Sequence, residues 1–280
     1  MTTVLRRVLF VIVIVTTWEI ISKSGIFPTF MWPPLFIPNT PDGPTVFGTL
    51  FSGLVSGQIL TATGVTLGRM LLGFLIAIVL GLTLGYLISR YKWVDDTLGF
   101  FVTALQSIPS IVWFPLAIVW FGLGFASILF IITIGATWTM TVNSSTGFKN
   151  VPPIYLNAAR TMAHQGVHLF RTVILPASLP HIISGLRVAW AFAWRAVMAA
   201  ELLGGSGGLG YLLNMGRSIQ SMDLVLAIMI IIAVIGTIMD NQVFLRMERS
   251  ISRKWGMAHH ETNNVSIRQY TITRLSRLRF

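Results

Sequence analysis
The residues with the most chemical capacity in this 280-residue chain sit where charge is scarce. Arg187, Arg195 and Glu201 interrupt an otherwise apolar stretch over 179–203. A cation deep in a bilayer costs ~2.5–3.5 kcal/mol on insertion scales unless it is paired or faces water. Arg187 and Arg195 are eight residues apart. On a helix that is about 80° of rotation after two turns and about 12 Å of rise. They would face a similar side at different depths. One role is a basic lining for the path of an anion. The other is a structural ion pair or, for Arg187, snorkelling of the long stem toward the inner interface. Arg187 lies near the inner end, which favours structure; for Arg195 both roles stay open. Glu201 is six residues past Arg195, about 240° around the helix, so the two are not expected to pair. It stays a candidate for the path beside the two arginines.

A second candidate is the polar insertion from about Lys149 to Pro176. Pro153 suits the first turn of a helix, where a missing N–H costs nothing. Ala158, Ala159, Arg160 and Met162 are strong helix formers. Gly166 is expected to end that helix. A second short helix, Val167 to Leu175, is expected to stop at Pro176. Leu156, Ala159 and Ala163 would share one face, with Arg160 elsewhere. Such a knob can insert into a groove on a soluble partner, or be an ordinary structured loop. His164 and His168 in it have no third ligand nearby and read as surface residues.

Several chemistries are excluded. The chain has no cysteine, so thiolate catalysis and Cys-based metal sites are out. There is no HExxH and no GxxxxGK[ST] phosphate loop. The run Gly204-Gly205-Ser206-Gly207-Gly208-Leu209-Gly210 mimics a dinucleotide fingerprint but follows an apolar span rather than a strand. It reads as a tight outer turn. No metal site is found.

The surroundings of these residues are those of a bilayer protein. The chain is 54% hydrophobic and 10% charged, with mean hydropathy +0.76, whereas soluble domains carry about 25% charge. A net charge of +11 would suggest nucleic acid in a soluble protein. In a membrane protein it reflects basic residues gathered on the cytoplasmic side, and no nucleic-acid partner is expected. The expectation is an all-α integral membrane protein, with a membrane domain over 1–256. About six spans are expected, near 5–22, 67–89, 98–121, 125–146, 179–203 and 222–245. The 52-residue charge-free run Thr97–Phe148 is too long for one span and divides at Gly122-Leu123-Gly124. Pro109 and Pro115 are expected to kink its first half. No small-x-small cleavage site follows the first apolar run, so a retained helix is expected. Residues 24–60 and 204–222 read as irregular outer segments, 149–176 as an inner loop, and 257–280 as a flexible basic tail.

The wording of the inner loop is specific. Asn157-Ala158-Ala159 followed by Val173-Ile174-Leu175-Pro176 resembles the EAA motif, EAA-x3-G-x9-I-x-LP, of ATP-binding-cassette (ABC) importer permeases. Asn157 stands for the motif Glu, and Ala163 for its Gly. Further phrases resemble the nitrate/sulfonate/taurine/bicarbonate permeases: Trp18-Glu19, Pro109-Ser110-Ile111-Val112-Trp113-Phe114-Pro115-Leu116 and Trp120-Phe121-Gly122-Leu123-Gly124. Ala158-Ala159-Arg160-Thr161, Gly185-Leu186-Arg187, Ala200-Glu201-Leu202 and Gly208-Leu209-Gly210-Tyr211 complete the set.

The resemblance implies a type I ABC importer permease fold in a bacterial inner membrane, with two copies forming the pore. It implies that Leu156, Asn157, Ala158, Ala159, Arg160, Ala163 and Gly166 couple to an ATPase subunit, present as a homo- or heterodimer. ATP and Mg would be held there and no cofactor on this chain. A periplasmic or lipid-anchored binding protein would deliver a small, anionic solute. The competing reading is a secondary transporter or channel. It would call for internal repeats or a filter-like pore loop, and neither is evident.

Charge sets the expected orientation. With the N-terminus inside, Arg6, Arg7, Arg90, Lys92, Lys149, Arg160, Arg171 and the tail from Arg246 to Arg279 are cytoplasmic. Only Lys23, Arg69 and Arg217 fall outside. The chain has no native cysteine, so labelling is clean. A cysteine at Asn39 should react with an impermeant thiol reagent from outside, and one at Ser266 should not. The opposite pattern would exclude N-in, C-in.

Overall fold
A bilayer offers the backbone no hydrogen-bond partners, so a chain this apolar must satisfy its peptide groups within helices or a closed barrel. A computed structural model describes residues 3–40 and 43–254, and among them there is no strand. The tail expected at 257–280 lies outside the described residues.

The chain opens with α1 (Thr3–Lys23). Glu19, which interrupts its apolar run, is satisfied by the segment that follows. Its carboxylate accepts from the Leu35 and Ile37 N–H groups at 2.9 and 3.0 Å. Trp18 stacks on Trp32 at 4.0 Å, and its Nε1–H donates to the Pro33 carbonyl. The stretch 24–60, expected to be irregular, contains α2 (Val46–Val55), capped by Thr45, whose hydroxyl accepts from the Gly48 N–H. The Pro and Gly content masked its short apolar run.

α3 (Gln58–Arg90) is 33 residues long, nine residues earlier in start than the expected 67. At 1.5 Å per residue it is about 50 Å long, well beyond a ~30 Å core. Arg69, expected to sit just outside a span, is therefore a helix residue, and it is buried.

The expected span 98–121 is not one helix. α4 (Lys92–Gln106) and α5 (Ser110–Phe121) meet at 96°. A proline kink alone is milder. Here Pro109 is extended, with ψ 131°, and as a proline it lacks the N–H that would continue the ladder. Its ring also disfavours helix at Ile108. Pro115 does no damage, because it falls in the first turn of a regular stretch. The expected break at Gly122 and Gly124 is present; both take positive φ.

α6 (Phe125–Lys149) is the central helix, packed along its length on α3 and on α8 (Gly166–Gly204). Between them lies α7 (Pro153–Thr161). α8 corrects two expectations: no separate helix ends at Pro176, and the fifth span does not begin at 179. The helix runs 39 residues without interruption. A π-helical turn at Phe170–Ile174 precedes the prolines and re-routes the carbonyls that Pro176 would leave unbonded. α9 (Leu209–Ser218) occupies the outer segment expected to be irregular. α10 (Met222–Ile251) runs past the expected end at 245 and carries Asp240 through a π turn at Met239–Phe244.

Four of these helices, α3, α6, α8 and α10, are long and apolar enough to cross a membrane. The bent α4–α5 pair makes a fifth if counted as one span. The expected count of about six is reached only with α1, which carries Arg6, Arg7, Glu19 and Lys23.

Glycines set the approach of α3 to α6. A Cβ at Gly81 would lie 2.5 Å from the Met140 Cβ, and one at Gly85 2.0 Å from the Ser144 Oγ. The Ser144 hydroxyl donates to the Gly81 carbonyl at 2.9 Å. Small residues four apart and an interhelical hydroxyl bond supply the attraction that apolar surface cannot supply in lipid.

Candidate functional site
α7 is held at the end of two long helices by its own backbone chemistry. Pro152 and Pro153 begin it, as their position predicts. It ends at Thr161, five residues before Gly166. The His164 N–H donates to the Ala159 carbonyl at 3.0 Å, and the Ala163 N–H to the Arg160 carbonyl at 3.0 Å. This is the Schellman pattern, which needs a left-handed residue just past the helix. That residue is Ala163, at φ 59°. Gly166, expected to stop α7, instead opens α8, at φ 55°. The EAA pattern places Gly where Ala163 stands, and the backbone supplies the reason: only Gly takes that φ without a Cβ clash.

The packed face of α7 is turned inward. Ala159 is 4% exposed, within a chain whose α7 rests on the first turns of α8. Leu156 is half-buried; Asn157, Ala158, Arg160, Ala163 and Gly166 are exposed. The surface offered to a partner is apolar all the same, because Ile154 and Met162 are each 71% exposed and Tyr155 is 50% exposed. Of the expected face Leu156, Ala159 and Ala163, the first two brace α7 against its own chain and Ala163 is exposed.

The three intramembrane charges separate into different roles. Glu201 is 1% exposed. Its carboxylate accepts from Arg69 Nη1 at 2.9 Å, from the Thr66 hydroxyl at 2.8 Å and from the Gly210 N–H at 3.1 Å. Arg69 also donates to the Ser206 and Gly207 carbonyls, and Thr66 accepts from the Leu209 N–H. The glycine-rich segment is therefore wrapped over a carboxylate. A Cβ at Gly208, where φ is 95°, would lie 2.4 Å from the Glu201 Oε1. Arg69 was the residue missed. Its signal was Glu201 itself, an acid with no partner on its own helix.

Arg187 forms a two-pronged pair with Asp240, Nε and Nη2 to the two carboxylate oxygens at 2.6 and 2.7 Å, and reaches Glu248 at 3.2 Å. This joins α8 to α10. Arg195 has no ion partner among the described residues. It is exposed, and its guanidinium lies 5.1 Å from the centroid of the Phe192 ring. Phe192 in turn lines a cavity of about 200 Å³ at the α4–α5 break, bounded also by α6. His164 and His168 lie edge to face at 4.4 Å, and no group of three or more metal-binding side chains occurs among the described residues.

The chain is similar to known proteins over most of this architecture. Residues 73–245 match the family described as binding-protein-dependent transport system inner membrane component. A putative ABC transporter permease protein of Methanocaldococcus jannaschii is 36% identical over 81% of this chain and 83% of its own length. A putative aliphatic sulfonates transport permease protein of Bacillus subtilis is 31% identical over 87% of this chain and 84% of its own. A nitrate import permease protein of Synechococcus elongatus is 30% identical over 64% of this chain and 65% of its own. Among solved structures, an inward-facing MetNI methionine ABC transporter chain superposes with TM-score 0.60. It covers 71% of this chain and 98% of its own at 19% identity. That likeness is one of fold.

Two outcomes follow from this geometry. Arg69→Met should leave the Glu201 carboxylate buried without its cation. Breaking a buried pair in this way costs about 3–5 kcal/mol, read as a lower thermal midpoint and lower yield of detergent-extracted protein. Wild-type stability in that variant would exclude the pair as a structural tie. Ala163→Gly should do the reverse, relieving a left-handed alanine worth ~1–2 kcal/mol. An unchanged or lower midpoint would show that the α7 terminus is not held in that conformation.

Proposed function
We infer that this chain, which belongs to the family of binding-protein-dependent transport system inner membrane components and is the permease subunit of an ABC importer, passes a small oxyanion across the bacterial inner membrane. The supporting observation for the solute is the naming of its relatives. Those for sulfonates and for nitrate share one chemistry, a compact anion whose charge is spread over several acceptor oxygens. An ATPase and a solute-binding protein accompany such permeases in general. The finer assignments are ours. Two copies of this chain form the pore. Both termini are cytoplasmic, as the distribution of basic residues suggests. The chain is not itself an enzyme. ATP and Mg are held by the separate ATPase subunits, since this sequence has no phosphate loop of the GxxxxGK[ST] kind.

α7 is the surface on which the ATPase docks. What supports this is the exposure of Ile154, Tyr155 and Met162 on a helix that is otherwise braced. Apolar side chains grouped on a short, fixed knob lose their water contact on entering a groove. Seating about 100 Å² of such surface is worth a few kcal/mol at ~25 cal/mol/Å². The residues that carry this contact are then Ile154, Tyr155, Ala158 and Met162, with Asn157 and Arg160 at its polar edge. Leu156, Ala159, Ala163 and Gly166 serve it by fixing the shape of the knob.

The two groups respond differently to substitution. Ile154→Asp or Ala158→Asp should leave the permease folded, because both sites are exposed, but prevent co-purification with the ATPase. An unpaired carboxylate in a dry groove costs several kcal/mol. Ala159→Asp should instead lower the amount of folded permease. Normal ATPase co-purification and solute uptake by the Ile154 and Ala158 variants would remove α7 from the interface.

A further inference from the structure
α8 turns one side away from its own chain, and that side is polar. The helix buries Ala189, Ala193, Ala196 and Ala200 against its neighbours. On the opposite side His181, Ser184, Val188 and Arg195 are exposed. At 100° per residue these four fall within about 60° of one another and form one stripe about 21 Å long. Only Val188 among them is apolar. A helix face that meets lipid has a different composition. On α3, every exposed residue between 71 and 80 is Leu, Ile or Val.

Arg195 sharpens the contrast. The other two charges in the apolar part of α8 are neutralised, Arg187 by Asp240 and Glu248, and Glu201 by Arg69. Arg195 lies between them, about 12 Å along the axis from Arg187 and about 9 Å from Glu201. It has no ion partner among the described residues, and the Phe192 ring at 5.1 Å holds its guanidinium on this side of the helix. Facing lipid at that depth would cost ~2.5–3.5 kcal/mol. Dry contact with a second copy does not remove the cost. A two-fold pairing of this face with itself brings Arg195 toward Arg195, with no acid on the stripe to separate them. Water solvates the cation, and a fixed cation beside a narrow body of water raises the local concentration of anions without holding them tightly.

We propose that the His181–Ser184–Val188–Arg195 face of α8 lines the water-filled path of the importer and that Arg195 is the charge by which this path selects anions; the second part rests on the oxyanion reading of the solute given above.

The test uses the complete importer, permease with its ATPase and binding protein, in proteoliposomes. Ser184→Cys, Val188→Cys, Leu75→Cys and Val79→Cys are made one at a time in this cysteine-free chain. Each is treated during ATP turnover with membrane-impermeant methanethiosulfonates present on both sides. The two α8 cysteines should react and the two α3 cysteines should not. At Val188→Cys a sulfonate-bearing reagent should react faster than a trimethylammonium-bearing one. Adding Arg195→Gln should shift that rate ratio at least threefold toward the cationic reagent, and adding Arg195→Lys should leave it nearly unchanged. Unreactive cysteines at 184 and 188, including cysteines that instead cross-link to their own copy, overturn the path. A rate ratio indifferent to Arg195→Gln overturns the selecting charge. Uptake of ¹⁵N-nitrate and of ³⁵S-taurine is measured per folded complex in parallel. The wild type should take up at least one of them, Arg195→Gln should lower that uptake at least tenfold, and Arg195→Lys should retain most of it. Uptake by Arg195→Gln within twofold of wild type also removes the selecting charge. A wild-type importer that assembles but takes up neither probe overturns the oxyanion reading alone, because the labelling still decides the path and its charge.

Discussion

The packing around the α8–α9 turn depends on one carboxylate. Glu201 sits at the end of α8 with almost no exposure, where an unpaired charge would be prohibitively costly. It is neutralised by Arg69 from α3 and bonded by Thr66 and the Gly210 N–H. Each partner commits a different element. Arg69 and Thr66 fix the register of α3 against α8, and Gly210 fixes the start of α9. The backbone of 206–207 is drawn over the pair by the remaining guanidinium hydrogens. The glycines there have a double reason: positive φ at Gly207 and Gly208, and no room for a Cβ against the carboxylate.

The same constraint, that polar groups out of water must find partners, explains the rest of the polar inventory. Glu19 is satisfied by the Leu35 and Ile37 N–H groups of the segment after α1. Asp223, at the start of α10, accepts from the Thr49 and Ser221 hydroxyls and so ties α2 to α10. Arg187 joins α8 to α10 through Asp240 and Glu248. Against this background, four buried side-chain atoms lack a partner among the described residues: Thr137 Oγ1, Trp138 Nε1, Thr139 Oγ1 and His164 Nδ1. The first three are consecutive on α6.

Function divides along the same line between rigid and open parts. α6 is packed on both sides and buttressed by the glycines of α3, so it is a fixed wall. α7 is a short rigid knob whose terminus is set by a Schellman closure and which leads directly into the 39-residue α8. α7 is joined to the helix that carries Arg187, Phe192, Arg195 and Glu201 by the short link 162–165 and rests on its first turns. The π turn at Phe170–Ile174 lies in that helix, ahead of Pro176 and Pro180.

The sequence by itself determined the class of the molecule. Scarce charge and long apolar runs require helices in a bilayer, and the wording around Asn157-Ala158-Ala159 and Val173-Ile174-Leu175-Pro176 identified the inner loop. These features are local in the chain, so composition and spacing reveal them. Helix ends were less legible. Arg69 read as lying outside the membrane because a lone charge is incompatible with lipid, and Asp240 stood unpaired inside the expected span 222–245. The tertiary structure removed that objection by bringing Glu201 to one and Arg187 to the other, partners 132 and 53 residues away. Pro109 and Pro176 look alike in sequence, yet one turns the chain by 96° and the other sits in an unbroken helix. The π turn at Phe170–Ile174 lies directly before Pro176, whereas the one at Asp95–Gly99 is separated from Pro109 by the regular turns Phe100–Gln106. The periodicity of α7 marked Leu156 and Ala159 as one face, but only packing against α8 decided that this face looks inward. Which side of a helix meets its own chain depends on a neighbour distant in sequence, and no local pattern encodes that.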